Sequence, residues 1–432
     1  MGKNPQSRRI CYLVLALTGF GMPPLYFPGP YSESPSRYVP GGFHPVHLGD
    51  IFRERYHVIH RLGSGGYGTT WLVRDEVRKR FACLKVCAAH SSSSEIAILR
   101  HLRDSMQRED ARGSDSIMQL WDDFEVEGPN GHHHCIVTEL LGPSLSSLSH
   151  DYTFRVPLDV GKLLARDVAS GIAFLHSCGV IHGDLTLNNI LLKIPGVDLL
   201  TQEDIIRYFG RPVCLPIKRT DGQPLSPEDV AHLPSYQVAI DPGDRQELLD
   251  LCLETTPSLA IIDFGQSLKW FGEPISCSLG IPPSYAPPEI LLQDALLPKG
   301  EVTPGVDIWA LATVIHKILS GSAPVFCSDH SADKDLVLQE IVSQLGQLPQ
   351  RWWTCWKGRL DSYESLPGLV WVPNLSSEDT VYLEDLFRKI LVYEPLKRLP
   401  ASKIATALAW WTDEWVWLPP IPGAYNVWFD YI

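Results

Sequence analysis

The early part of the chain alternates apolar and polar positions with period two, and later stretches switch to spacings of three and four. Tyr56–Leu62 reads as a strand, Thr70–Val73 as the strand returning from it, and Arg80–Val86 as the next. Cys135–Gly142 reads as a last strand running into a connector. Between them, Ser91–Ser94 supplies an N-cap for a helix through Glu95, Ile96, Ile98, Leu99 and Leu102. From Leu158 to Cys178, Val160, Leu163, Leu164, Val168, Ile172 and Leu175 recur at helical spacing and predict a buried helix. Leu259–Ile262 reads as a short strand, Asp307–Ala312 opens an apolar helix, and Val381–Leu391 and Ala401–Trp411 complete the helical part.

One polar centre interrupts this pattern. Gly179–Leu192 runs Gly-Val-Ile-His-Gly-Asp-Leu-Thr-Leu-Asn-Asn-Ile-Leu-Leu, with apolar segments bracketing Asp184 and Asn189, five positions apart. That spacing suits a carboxylate aimed at a substrate hydroxyl and an amide oxygen turned towards a metal ion. Taken alone it equally describes a polar turn between two core strands. Gly63-Ser64-Gly65-Gly66-Tyr67-Gly68 is a Gly-x-Gly-x-x-Gly run, which dinucleotide-binding folds also use. Here a strand follows the glycines where a dinucleotide fold places a helix, and a glycine hairpin lets backbone N–H groups approach phosphate oxygens closely. Lys85 sits among apolar strand residues, which favours an anionic partner for its ammonium. Glu95 is the candidate; a surface lysine on an edge strand is the alternative. Exposed backbone groups of Glu139–Leu141 are placed to hydrogen-bond a planar adenine ring.

Glycine hairpin, strand Lys85, helix Glu95, connector, then His182-Gly183-Asp184 with Asn189 resemble the eukaryotic protein kinases in that order, and the match continues to about residue 412. The resemblance implies an α+β, two-lobed fold, with a small antiparallel-sheet lobe carrying one main helix and a larger, mostly helical lobe. Its boundaries fall at 43–141 and 142–418, with an insertion at about 194–258, an extension at 1–42 that is disordered or a targeting segment, and a tail at 419–432. It implies ATP and Mg2+ as cofactors. Leu62, Gly63, Ser64, Gly65, Gly66, Tyr67, Gly68, Thr70, Cys83, Lys85, Thr138, Glu139 and Leu141 would line the nucleotide site. Asp184 would accept the substrate proton, Asn189 and Asp263 would hold magnesium, and Glu95 would hold Lys85 on the phosphates. By the same resemblance Glu289 pairs with Arg398, and Asp307 supports the loop around Asp184. Phe43–Asp50, the insertion after Leu192 and Gly346–Trp353 resemble the SR-protein kinases, particularly fungal ones, whose substrates are serines in arginine-serine repeats.

Three departures qualify the resemblance. Gly183 stands where many kinases carry Arg, Thr186 where Ser/Thr kinases usually carry a phosphate-contacting Lys, and Cys83 replaces a small Ala above the adenine. Gly183 predicts activity independent of activation-loop phosphorylation. The first two departures also keep open a pseudokinase, a scaffold that binds nucleotide or partners without efficient turnover. A small-molecule kinase is disfavoured by Pro287-Pro288-Glu289 with Arg398.

Composition adds little. The net charge of −13 argues against a nucleic-acid-binding surface and allows a basic, Arg-Ser-rich protein partner. Ten Cys without Cys-x-x-Cys pairs read as reduced core thiols. His132–His134 beside Cys135 is read as a solvated hairpin in preference to a metal site. Lys3, Arg8 and Arg9 before the apolar run Ile10–Phe20 resemble a targeting start, but the run is too short to span a bilayer. Cytoplasmic or nuclear residence is expected, with mitochondrial import the alternative, and a monomer is the family expectation. Residues 21–49 read as an extended Pro/Gly-rich linker, and the insertion as short helices packed outside the large lobe.

Overall fold

The computed structural model describes residue 26 and residues 32–149, 156–239, 246–293, 301–321, 325–326, 333–359 and 375–413. A six-stranded antiparallel sheet forms the first lobe, from β1 (Ile51–Phe52), β2 (Tyr56–Gly65), β3 (Gly68–Asp75), β4 (Arg80–Cys87), β5 (Leu120–Gly128) and β6 (Gly131–Glu139), in the order β1-β2-β3-β4-β6-β5. Alternation gives it two faces. Trp71, Val73, Ala82, Leu84, Val86 and Val137 pack together on the outer face. On the inner face Leu72 and Ile136 join the large core, which also receives Ile96, Leu99 and Leu102 of helix α1 (Ser94–Ser105).

After β6 the chain enters β7 (Leu141–Ser144) and helix α2 (Leu158–Ser177), whose Leu164, Val168, Ile172 and Leu175 are fully buried. Two short strands, β8 (Val180–Ile181) and β9 (Ile190–Lys193), bracket the polar run. The insertion follows, with α3 (Gln202–Phe209), β10 (Val213–Leu215), α4 (Pro227–His232), β11 (Gln237–Ala239) and α5 (Gln246–Leu253). Then β12 (Leu259–Ile261) pairs with β9, which pairs with β7. β13 (Leu268–Lys269) pairs with β8, and β14 (Ile275–Ser276) pairs with β15 (Glu301–Val302) beyond the short helix α6 (Pro288–Leu291). Helices α7 (Gly305–Ser320), α8 (Lys334–Leu345), α9 (Gln350–Trp353), α10 (Ser377–Ile390) and α11 (Ala401–Asp413) complete the described lobe. α7 is apolar nearly all round and buried along its whole length, as a helix at the centre of a large lobe must be.

Three sequence readings are corrected. The insertion does not pack only outside the large lobe. Leu248, Leu249, Cys252 and Leu253 of α5 enter the large core, while Val238 of β11 enters the outer core of the small lobe. The segment before residue 43 is not a loose linker where it is described: Tyr26, Tyr38 and Phe43 are buried with Ile217 and Leu233 of the insertion. And His133 is not solvated. Its ring is buried, with Nδ1 2.9 Å from the Cys87 carbonyl, because it lies on the same face of β6 as Cys135 and Val137, the face that carries the outer core. The eight described cysteines are free thiols, of which Cys214 is exposed. The apolar run at 10–20 and the tail at 419–432 lie outside the described residues, as do residues 241–245 of the acidic stretch.

Candidate active site

Strand register assembles the cleft. Gly63 lies opposite Thr70, Thr70 opposite Lys85, and Lys85 opposite Ile136. Two residues along, Leu72 lies opposite Cys83, and Cys83 opposite Thr138. Residues two apart on a strand share a face, so Thr70, Cys83, Lys85 and Thr138 project from the same inner face below the glycine hairpin. Gly65 and Gly66 at the tip face open space, and Tyr67 is exposed. Gly68 is required for packing, since a Cβ there would stand 2.4 Å from the Val86 carbonyl oxygen. Glu139 and Leu141 continue from the sheet edge, where the Glu139 carboxylate accepts from the Gln119 amide at 3.0 Å and Leu141 is buried.

Lys85 donates to both oxygens of Glu95, at 2.7 and 2.8 Å, and its Nζ lies 3.7 Å from Asp263 Oδ1. Burial works to lower the pKa of its ammonium, but the Glu95 and Asp263 carboxylates outweigh it and hold the pKa above the usual lysine value. Lys85 is therefore a fixed cation. Its thiol neighbour Cys83 is pushed up to about 11 by burial and stays protonated.

The polar run forms the opposite wall. Asn189, in a 3-10 turn at Leu187–Asn189, donates its Nδ2 to the Asp184 carbonyl at 2.8 Å and to Asp184 Oδ2 at 3.0 Å. Both amide hydrogens are thus used, and Oδ1 has no protein donor among the described residues. Ile262 N donates to the Asn189 carbonyl at 2.9 Å, which sets Asp263 beside it. Asp263 has φ +63° and is half-exposed, with Oδ1 accepting from Gly265 N at 3.3 Å. Burial raises the pKa of Asp184, and the Asp263 charge adds to this, opposed by His182 and by the Asn189 hydrogen bond. Proximity to a carboxylate and an amide oxygen suits a hard divalent cation. Among the described residues no group of three or more His, Cys, Asp or Glu could hold a metal ion; Asn189 Oδ1 and the Asp263 carboxylate are the oxygens that could reach magnesium.

Rigid supports lie behind these groups. The Asp307 carboxylate at the start of α7 accepts from the backbone amides of His182 at 2.8 Å and Gly183 at 2.9 Å, and lies 2.8 Å from His176 Nε2. Burial would raise its pKa; the hydrogen bond and charge of His176, the charge of His182 and the Gly183 amide outweigh this and depress it. Phe264 packs edge-on to the His182 ring at 5.3 Å, and the Ser267 hydroxyl donates to the His182 carbonyl at 2.9 Å. His101 of α1 meets the Cys178 carbonyl at 2.9 Å, linking the helix that carries Glu95 to the turn before the polar run. Arg398 donates to both oxygens of Glu289, at 2.6 and 2.8 Å, with both residues buried. Sequence reasoning missed His176, Ser267 and the role of His101. Each acts through a backbone group or an ordinary hydrogen bond and leaves no residue pattern.

Comparison with known proteins decides the family. The protein kinase domain model matches residues 56–200 and 250–409. The chain belongs to the protein kinase family. Within it the chain is SRPK-like. It is 41% identical to human SRSF protein kinase 3 over 169 residues, 38% of this chain and 30% of that protein. It is 26% identical to the serine/threonine-protein kinase SRPK of Physarum polycephalum over 398 residues, 85% of this chain and 89% of that protein. Against the serine/threonine-protein kinase SKY1 of Saccharomyces cerevisiae it is 33% identical over 179 residues, 39% of this chain and 24% of that protein. The match therefore spans less than a third of the length of SRSF protein kinase 3. Residues 201–249, which the family model skips, fall within the insertion.

Proposed function

We propose that the protein transfers the γ-phosphoryl group of ATP to serine or threonine hydroxyls of proteins, including Arg-Ser-rich splicing factors. The observation that carries this reading is the convergence of Lys85–Glu95, Asp184–Asn189 and Asp263 on one cleft under a glycine hairpin. Magnesium, when bound, would supply positive charge that neutralises the phosphates. Asn189 Oδ1 and the Asp263 carboxylate are the protein oxygens available to it. Lys85, held by Glu95, offers its charge to the α- and β-phosphates. Asp184 orients the acceptor hydroxyl and takes its proton. Its carboxylate is fixed by Asn189, so the positioning is built before substrate arrives. Thr186 is buried and uncharged, so one phosphate-directed cation is missing and transfer is expected to be slower than with lysine there.

The Arg-Ser preference follows from the resemblance to the SR-protein kinases, a relative of this chain being named SRSF protein kinase 3, and agrees with the acidic net charge of −13. The pseudokinase alternative is disfavoured by the presence together of Lys85, Asp184, Asn189 and Asp263. We further propose a monomer in the cytoplasm or nucleus; among the described residues no helix is long and apolar enough to cross a membrane. Microscopy of the tagged full chain, with and without residues 1–42, tests the location. The activity is tested with purified protein, labelled ATP, magnesium and an Arg-Ser peptide, beside Asp184→Ala. Equal labelling by both proteins would overturn the enzyme reading. Equal labelling of basic peptides lacking Arg-Ser repeats would overturn the substrate class.

A further inference from the structure

The glycine hairpin is held from outside by a segment that precedes the kinase sheet. Ser34 caps a single 3-10 turn at Pro35–Arg37, and the chain then doubles back so that Phe43 N donates to the Arg37 carbonyl at 2.8 Å. The reversal needs Gly42, where a Cβ would stand 2.1 Å from the Arg37 carbonyl oxygen. Gly41 N donates to the Asn130 carbonyl at 2.7 Å, and Ala89 N and His90 N donate to Gly42 and Gly41 at 2.9 and 2.8 Å. Asn130 Nδ2 returns a bond to the Phe43 carbonyl at 2.6 Å. At its other end the segment is locked by a buried polar knot. Glu33 pairs with Arg61 of β2 and accepts from the Tyr38 hydroxyl, while Gln237 of β11 donates to the Glu33 carbonyl at 2.7 Å.

From this anchored segment Arg37 reaches the hairpin. Its guanidinium lies over the Phe43 ring, 4.5 Å from the centroid, and donates through Nη2 to the carbonyl of Gly66. Next to it, Ala88 N donates to the Tyr67 carbonyl at 2.8 Å. The two tip carbonyls are thereby held by the protein, although Gly65 and Gly66 themselves have open space around their α-carbons. A tip without side-chain packing is otherwise free to sample many backbone states. Fixing the carbonyls fixes the peptide planes, and with them the direction of the amides that would meet phosphate oxygens.

We propose that Arg37 is a positioning residue for the nucleotide: a strut that holds the glycine hairpin in its phosphate-receiving pose before ATP binds. The proposal rests on the nucleotide reading of that hairpin. It does not require Arg37 to touch ATP, and it predicts an effect on nucleotide capture out of proportion to any effect on turnover.

The test uses the full-length chain and the variants Arg37→Ala and Arg37→Lys, with Arg207→Ala, an exposed ion-pair partner of Glu247, as a surface control. Hydrogen exchange of residues 63–68 in nucleotide-free protein is the first readout. Arg37→Ala is expected to speed exchange there about tenfold while β5 and α7 are unchanged, and Arg37→Lys, which keeps a donor, recovers part of the protection. The second readout is steady-state phosphorylation of an Arg-Ser peptide with varied ATP. Arg37→Ala is expected to raise KM for ATP about three- to tenfold with kcat within twofold of the parent. Unchanged exchange at 63–68 overturns the strut whether or not the protein proves to be a kinase. Faster exchange with an unchanged KM and a lowered kcat overturns its role towards nucleotide. Absence of phosphorylation by the parent protein, with exchange behaving as expected, counts against the proposed activity and leaves the strut supported.

Discussion

A Cβ placed on Gly183 would stand 2.8 Å from the carbonyl oxygen of Gln266, and the residue has φ +79°. Glycine here is therefore a backbone requirement of the loop around Asp184, independent of whether a cation is wanted beside it. Gly183→Arg is expected to destabilise the protein by about 1–3 kcal/mol from the left-handed backbone alone and to disturb Asp307. It should reduce transfer without creating dependence on a phosphate. Thermal melts and initial rates, before and after phosphatase treatment, check this.

The segment after Asp263 is already tied down twice, by β13 on β8 and by β14 on β15. No phosphate is needed to make those pairs. Ser276→Ala and Ser278→Ala are each expected to keep at least half of the parent rate. An enzyme silent until either serine is phosphorylated would contradict the assignment of an intrinsically ordered loop.

Asp184→Asn preserves the shape of the side chain and removes the proton acceptor. Loss of a positioned general base costs about 10²–10⁴-fold, so the phosphorylation rate should fall by about that factor while ATP affinity, measured by calorimetry, changes little. A comparable fall in affinity would mean that Asp184 serves to bind nucleotide and not to handle the hydroxyl.

How much of this was legible in the chain depends on how each residue acts. Lys85, Glu95, Asp184, Asn189 and Asp263 carry charge or an amide in apolar surroundings, and the cost of burying such groups marks them out in the residue pattern itself. The strands β2, β3, β4 and β6 show their alternation directly. The strut at Arg37 and the knot at Glu33 and Arg61 were hidden, because their partners lie on segments joined only by tertiary contacts. Glu33, Arg61 and Gln237 are separated by long stretches of chain, and Pro and Gly residues around positions 35–42 read locally as linker. The same residues instead build a tight reversal. The position of β11 was equally hidden, since three residues give no period to read.

Glu289 and Arg398 are buried together, and removal of one partner leaves an uncompensated charge. Glu289→Ala or Arg398→Ala should each destabilise the protein by about 3–5 kcal/mol. The double variant Glu289→Ala/Arg398→Ala should cost less than the sum of the singles, as read from urea denaturation in a double-mutant cycle.

Asp307 supplies a pH prediction. Its folded pKa lies below the ordinary carboxylate value, so the unfolded chain binds the proton more readily. Its contribution is fully present above the unfolded value of about 3.9 and is lost as pH falls through the lower folded value. Asp307→Asn should therefore lie well below the parent in melting temperature at pH 6, with the gap narrowing below about pH 4. A gap that is constant from about pH 2.5 to 6 would show that the carboxylate charge is not what holds the loop.

The insertion sends α5 into the core of the large lobe and Val238 into the outer core of the small one. Chain therefore crosses between the lobes at the connector around Leu141 and is pinned again at β11. A single crossing behaves as a universal joint, allowing bend, twist and shear. Two crossings leave a door with one axis, along the line through both pivots. Opening for nucleotide exchange would then be a swing about that line, and twisting of the lobes against each other would first have to pull Val238 from its socket.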